Sequence, residues 1–180
     1  VDNETEIAEI LGPEKVIAGT VTSAVGKRGA GDIVLEKLRG IGIAEEHPLA
    51  KRLIAAMDKA LLNARGYPRA ADMKWSKMLT NLVGNATSAI LDMSPAEIFA
   101  RNDLYAFEMA MLREALAVMD AQGIDVVNLP GTPVKLLAFA ANGPTWLRPL
   151  AAKKLGGGRG GKMPSFHIDL HSGRGKSEVD

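Results

Sequence analysis

Cysteine is absent from the 180 residues, which excludes disulfide scaffolds, thiolate zinc sites and cysteine nucleophiles. A dominant charge is missing too. The 22 basic and 21 acidic residues leave a formal net charge of +1, so nothing calls for a nucleic-acid or anionic-membrane partner. No uninterrupted apolar run is long enough to span a bilayer. The N-terminal VDNETEIAEI is acidic, unlike a basic and apolar signal, and a cytoplasmic protein is expected. No Gly-x-Gly-x-x-Gly follows a strand, although a complete dinucleotide-binding half normally carries one. The chain also opens at Val1 without an initiator methionine and reads as a piece of something longer. Its length still allows a sizeable core and one or two domains.

What is present begins as α/β. Residues 4–11 predict a short helix closed by Gly12-Pro13, and Val16 to Val25 predicts a strand from its Val, Ile and Thr content. The Gly26-to-Gly31 cluster makes a turn, and Ile33–Leu38 and Ile41–Ile43 are two further short strands. His47-Pro48 opens a helix that runs through Leu53, Met57 and Leu61 to a stop at Gly66. Tyr67 to Ala70 reads as a hinge, with residues 1–69 forming one domain and 70–180 a helical one.

The organising stretch of the helical part is Met73 to Leu91. At ~100° per residue one arc of a continuous helix collects Trp75, Leu79, Leu82, Val83, Ala86 and Ile90. The opposite arc carries Lys77, Asn81, Gly84, Asn85 and Ser88, and the stretch contains no acidic residue. Solvated helix faces are normally built from Glu, Lys, Gln and Arg. Asn and Gly here each cost up to roughly 1 kcal/mol relative to Ala. Lys77, Asn81 and Asn85 at i, i+4 and i+8 stack an ammonium and two carboxamides along about 12 Å of one face. Such a face suits a small oxygen-rich anion; packing against another domain through amide hydrogen bonds is the alternative.

Further along, Ser94-Pro95 starts a helix with an N-cap Ser and an N1 Pro. Asp103 to Gln122 follows with an apolar stripe of Leu104, Phe107, Met111, Ala115 and Val118, and Met109, Met111 and Met119 are read as core filling. Thr132 is expected to cap a helix from Val134 to Ala141, and Trp146 to Leu155 is a short basic helix. Gly156 to Gly161 imitates a phosphate loop but has Met163 where Ser or Thr would hold magnesium, so it reads as a lid or soft linker. Ser165 caps a helix through Asp169 to a Gly173 stop. His167 and His171 stand one turn apart on it, and with no further ligand cluster they are surface histidines and no metal is expected.

Trp75-Ser-Lys77, Asn81 and Asn85 resemble the W-x-K-x3-N-x3-N helix of the ketopantoate reductase (2-dehydropantoate 2-reductase) family. Downstream, Ser165-x3-Asp169, Gly173-Arg174 and Glu178-Val179-Asp180 are similar to the family's S-x3-D, GR and E-[IV]-D signature. The two patterns in this order make the resemblance specific.

The resemblance implies the α/β end of a Rossmann NADP-binding domain (residues 1–69) followed by a mostly α-helical, 6-phosphogluconate dehydrogenase C-terminal-like domain (residues 70–180). The glycine-rich start and the C-terminal helices would lie outside the chain. It implies NADPH-dependent reduction of 2-dehydropantoate to pantoate, in pantothenate biosynthesis, within an interdomain cleft. Lys77 matches the family's general acid, Asn81 and Asn85 its substrate amides, and Ser165 its substrate hydroxyl. Glu178 matches the acidic residue near lysine and cofactor, and Val25 a backbone contact to NADP. Two departures stand out: Pro95 replaces a substrate-contacting Asn of many relatives, and the 173–178 segment is one residue longer. The near alternative is a different 2-oxo acid, and the distant one a non-catalytic helical interaction module. Alone, the piece is expected to be inactive, and apolar faces left open would let it pair as a homodimer.

Overall fold

The computed structural model describes residues 3–144, 146, 148–157 and 163–171. They form two compact units: Val1–Met78 with Gln122–Lys135, and Leu79–Ala121 with Leu136–Asp180. Compactness thus groups Gln122–Lys135 with the first unit.

In the first unit, α1 (Asn3–Leu11) and a 3-10 turn (Pro13–Lys15) precede β1 (Gly19–Val21), β2 (Ala24–Gly29), β3 (Asp32–Lys37) and β4 (Ile41–Ala44). Helix α2 (Ala50–Lys59) and β5 (Ala64–Tyr67) come next. The strand expected over Val16–Val25 is two strands, and they belong to different sheets. β1 pairs antiparallel with β4, while β2 and β3 make a separate hairpin with register shifts at Ala24/Val25 and Lys27/Gly29. The glycine cluster therefore lies mostly within β2, and the turn is confined to its far end.

β5 has no counterpart in the sequence reading, which carried the preceding helix to Gly66. Instead α2 stops at Lys59, Leu61 and Asn63 take left-handed backbone (φ 60° and 51°), and Ala64–Tyr67 pairs in parallel with β4. Parallel strands need a crossover connection, and α2 supplies it, making β4–α2–β5 a strand–helix–strand unit. Pairing with β4 overrides the helical pattern of the sequence.

Residues 124–130, outside the named helices and strands, are held by side chains of the same unit. Asp72 Oδ1 accepts from the Asp125 N–H at 3.0 Å and Ser76 Oγ from the Val127 N–H at 2.9 Å. The Tyr67 hydroxyl donates to the Asn128 carbonyl at 2.9 Å, and the Thr22 hydroxyl lies 2.8 Å from that of Pro130. Burial raises the Tyr67 pKa. Met73, Tyr67, Ile43, Leu129 and Val134 are buried in this unit, and a Lys74–Glu4 ion pair at 2.6 Å ties α1 to α3 (Ala70–Leu82).

The second unit is helical: α4 (Asn85–Leu91), α5 (Pro95–Ala100), α6 (Asn102–Ala121), α7 (Val134–Asn142), α8 (Arg148–Gly157) and α9 (Ser165–His171). Helices α3 and α7 each cross a unit boundary. The Ser94 cap is present as a full capping box with Glu97. The apolar stripe of α6 is displaced from the expected one. Tyr105, Glu108, Met109, Leu112 and Met119 are buried, whereas Phe107 is 54% exposed. Met109 and Met119 fill the core as expected. At α7 the cap comes from Asn128, whose Oδ1 accepts the Lys135 N–H at 2.9 Å; the Thr132 hydroxyl turns to the Pro130 carbonyl instead. Gly156 and Gly157 are the last turn of α8 and not a loop, and 158–162, where the lid was expected, lie outside the described residues. No helix among the described residues is long and apolar enough to cross a membrane.

Candidate active site

The Met73–Leu91 stretch is two helices. Gly84 takes φ 63°, the left-handed region open to glycine, and separates α3, ending at Leu82, from α4, beginning at Asn85. Lys77 and Asn81 remain one turn apart on α3. Asn85 starts a new helix, so the expected i, i+4, i+8 row on one rod does not form. The face assignment changes with it. Ser88, expected on the polar face, is buried, as is Thr87, and Ile90 is 75% exposed.

What fixes the break is a buried acid. Glu108 on α6 is fully buried; its Oε2 accepts the Gly84 N–H at 2.7 Å and its Oε1 the Thr87 hydroxyl at 2.5 Å. A carboxylate that satisfies a turn N–H and a hydroxyl of the next helix holds both ends of the kink in a low-dielectric setting. The sequence reading passed over Glu108. Its signal was there: it sits three residues after Tyr105 and four before Leu112, in the middle of an otherwise apolar face.

Two polar atoms of α4 have no protein hydrogen-bond partner although both are buried: the Asn85 carboxamide oxygen and the Ser88 hydroxyl. They stand at i and i+3 on the first turn. An unmet buried acceptor costs about 1–3 kcal/mol, and such groups in a native fold call for an explanation such as a ligand. Asn81 on α3 is exposed and Lys77 half-buried. Lys77 has an interaction partner within the structure.

The remaining expected site residues are more scattered. Ser165 is exposed at the start of α9, and α9 packs on α4. The contact joining these helices, His167 Nε2 to Asp92 Oδ1 at 2.7 Å, lies at the end of α4 remote from Asn85, about 10 Å along the axis. Val25 is half-exposed on β2, beside the shift in the hairpin ladder. Glu178, like Gly173 and Arg174, lies outside the described residues. The open groove along α8, lined by Leu150, Lys153, Lys154 and Gly157, contains none of these groups.

Residues 69–180 match the sequence model of the family described as ketopantoate reductase PanE/ApbA, C terminal. No curated protein matches the chain in sequence. Among solved structures, a PanE/ApbA family ketopantoate reductase from Ralstonia eutropha JMP134 is similar at TM-score 0.76 and 20% identity, over 99% of this chain and 53% of that one. A 2-dehydropantoate 2-reductase from Geobacter metallireducens GS-15 is similar at TM-score 0.73 and 20% identity, over 99% and 55%. D-mandelate dehydrogenase in complex with NADH is similar at TM-score 0.71 and 19% identity, over 94% and 57%. The chain spans little more than half the length of these relatives. Its architecture is the α/β end of a Rossmann domain followed by a mostly α-helical domain. The family match covers well over half of the 180 residues and includes α3, α4 and α9, and the chain belongs to the ketopantoate reductase PanE/ApbA family.

Proposed function

We propose that the whole protein is an NADPH-dependent reductase of a 2-oxo acid, with 2-dehydropantoate as substrate and pantoate as product. The observation that carries this reading is the family match over 69–180, the segment holding Lys77, Asn81, Asn85 and Ser165. In this reading residues 1–69 belong to the cofactor domain and 70–180 to the substrate domain.

NADPH, when bound, supplies the hydride that reduces the ketone carbon. Everything else falls to side chains. The ketone oxygen becomes an alkoxide and takes one proton, which the Lys77 ammonium gives; the resulting neutral amine regains a proton from solvent. Proton donation by a placed side chain contributes about 10²- to 10⁴-fold. Asn85 turns its buried, unpartnered carboxamide oxygen to a substrate hydroxyl, which supports the binding role given to α4. Asn81 and Ser165 offer further polar contacts, and Glu178 keeps Lys77 charged. Val25 fits its assigned backbone contact to the cofactor in being half-exposed next to a bulge, where strands near active sites are commonly re-aimed.

One observation favours a different 2-oxo acid. Pro95, in the place of a substrate-contacting Asn, is buried at the first turn of α5 and offers no polar side-chain group, which weakens recognition of pantoate's hydroxyls. Both readings are tested by NADPH oxidation across a panel of 2-oxo acids, with Lys77→Ala alongside. A large fall in kcat with little change in KM is expected for Lys77→Ala. Unchanged turnover in that variant, or silence toward every 2-oxo acid, overturns the reductase reading. Silence toward 2-dehydropantoate alone leaves the other substrate class.

A further inference from the structure

We propose that Asp92, His167 and His171 form a site for one divalent transition-metal ion of the zinc class, clamping the end of α4 to α9. The inference is independent of the substrate reading. Asp92 is 75 residues from His167 in sequence, so the site is invisible to local spacing. In the fold, one ligand atom from each of the three side chains lies within 4.8 Å of the others.

The histidines are already arranged for chelation. They occupy i and i+4 of α9, and their rings stack with centroids 4.2 Å apart and planes 20° from parallel. His171 Nδ1 lies 2.9 Å from the His167 carbonyl oxygen. That nitrogen must carry the hydrogen and donate it, which leaves the lone pair on Nε2 and fixes the tautomer a metal requires. A metal with N and O ligands at about 2.0–2.2 Å separates adjacent ligand atoms by roughly 2.9–3.5 Å. His167 Nε2 and Asp92 Oδ1, at 2.7 Å, need to part by only a few tenths of an ångström. The third atom, within 4.8 Å of the other two, has to come closer by side-chain rotation when the ion binds.

The chemistry agrees with the geometry. Two imidazoles and one carboxylate suit zinc, cobalt, nickel or copper better than magnesium or calcium, which favour all-oxygen shells. Asp92 is 74% exposed and His171 is exposed, so an ion can enter from solvent and keep water in its open positions.

The test is titration of the chelator-treated full chain with Zn(II) by calorimetry, and with Co(II) by visible absorption. One equivalent per chain is expected. His171→Ala and Asp92→Asn should each weaken binding by at least the ten- to hundredfold that loss of an outer-shell partner brings. His47→Ala, which alters the third histidine of the chain, should leave it unchanged. Absence of saturable binding up to about 1 mM metal overturns the proposal. So does binding that survives both substitutions, which is an adventitious ion only. Asp92→Asn keeps the side-chain size and provides the decisive comparison if His171→Ala fails to fold.

Discussion

Glu108 holds Gly84: the buried carboxylate of α6 accepts the backbone N–H at the left-handed residue between α3 and α4, 24 positions earlier in the chain, at 2.7 Å. The same group takes the Thr87 hydroxyl, so one side chain sets where α4 begins and how Asn85 is presented.

Removing that acid should be costly and chemically specific. Glu108→Ala strands the buried Gly84 N–H and leaves a cavity, and each contributes about 1–3 kcal/mol. Glu108→Gln keeps one acceptor, and its amide can donate to Thr87, so it should cost clearly less. Urea unfolding of the two variants checks the order; equal losses would mean that the amide cannot replace the carboxylate's hydrogen bonds and that the packing it preserves matters little.

Gly84→Ala tests the backbone. An added Cβ would meet only Phe99 at 3.7 Å and Pro95 at 4.0 Å, ordinary contacts, so the penalty is conformational. A loss of about 1–2 kcal/mol is expected from the left-handed φ, read as a fall in Tm. A neutral result would mean that the kink does not need this conformation.

Asn85→Ala should separate stability from function. The carboxamide oxygen has no protein partner, so deleting it removes a desolvated acceptor. Stability should hold or rise by up to about 1 kcal/mol, while under the proposed reductase function KM for the 2-oxo acid rises in the whole protein. A large loss of stability would place Asn85 in the structural core.

At the end of α8 two adjacent glycines should respond oppositely. A Cβ on Gly156 would lie 3.1 Å from the Ala96 Cα, backbone that cannot step aside, whereas nothing lies within 4 Å of one on Gly157. Gly156→Val should destabilise by about 1–3 kcal/mol and Gly157→Ala stabilise by roughly 0.5–1 kcal/mol. Thermal melts of both variants check this.

Asp103 sets an acid limb. Hydrogen bonds from Arg101 lower its pKa from 3.8 to about 2. The folded value lies below the ordinary one, so its stabilisation is complete above the ordinary value and disappears as pH falls through about 2. Carboxyl NMR titration should give that midpoint and return it towards 3.8 in Arg101→Gln. Both side chains are more than half exposed, and high salt should weaken the shift.

Local chemistry was legible in the sequence. Ser94 with Pro95 declared a helix start, and the resemblance around Lys77 and Asn81 identified the family. What the sequence hid was non-local. Hydropathy periodicity runs straight through Gly84, because no count of apolar residues registers a left-handed φ held by an acid 24 residues away. It scored Phe107 as core and ignored Glu108, since burial of a carboxylate depends on partners that α4 brings. β5, with the sequence ARGY, has little strand character of its own and exists because β4 offers an edge. Asp92 joined the histidines for the same kind of reason, through the packing of α4 on α9.

The stitch between Thr22 and the Pro130 carbonyl closes a span of 108 residues. At about 5–20 residues per second on a ribosome, Pro130 is added some 5–20 s after Thr22. The strands of the first unit must therefore wait, incompletely covered, while α4, α5 and α6 of the second are made. Nascent-chain arrest before and after residue 130, followed by limited proteolysis, would time that delay.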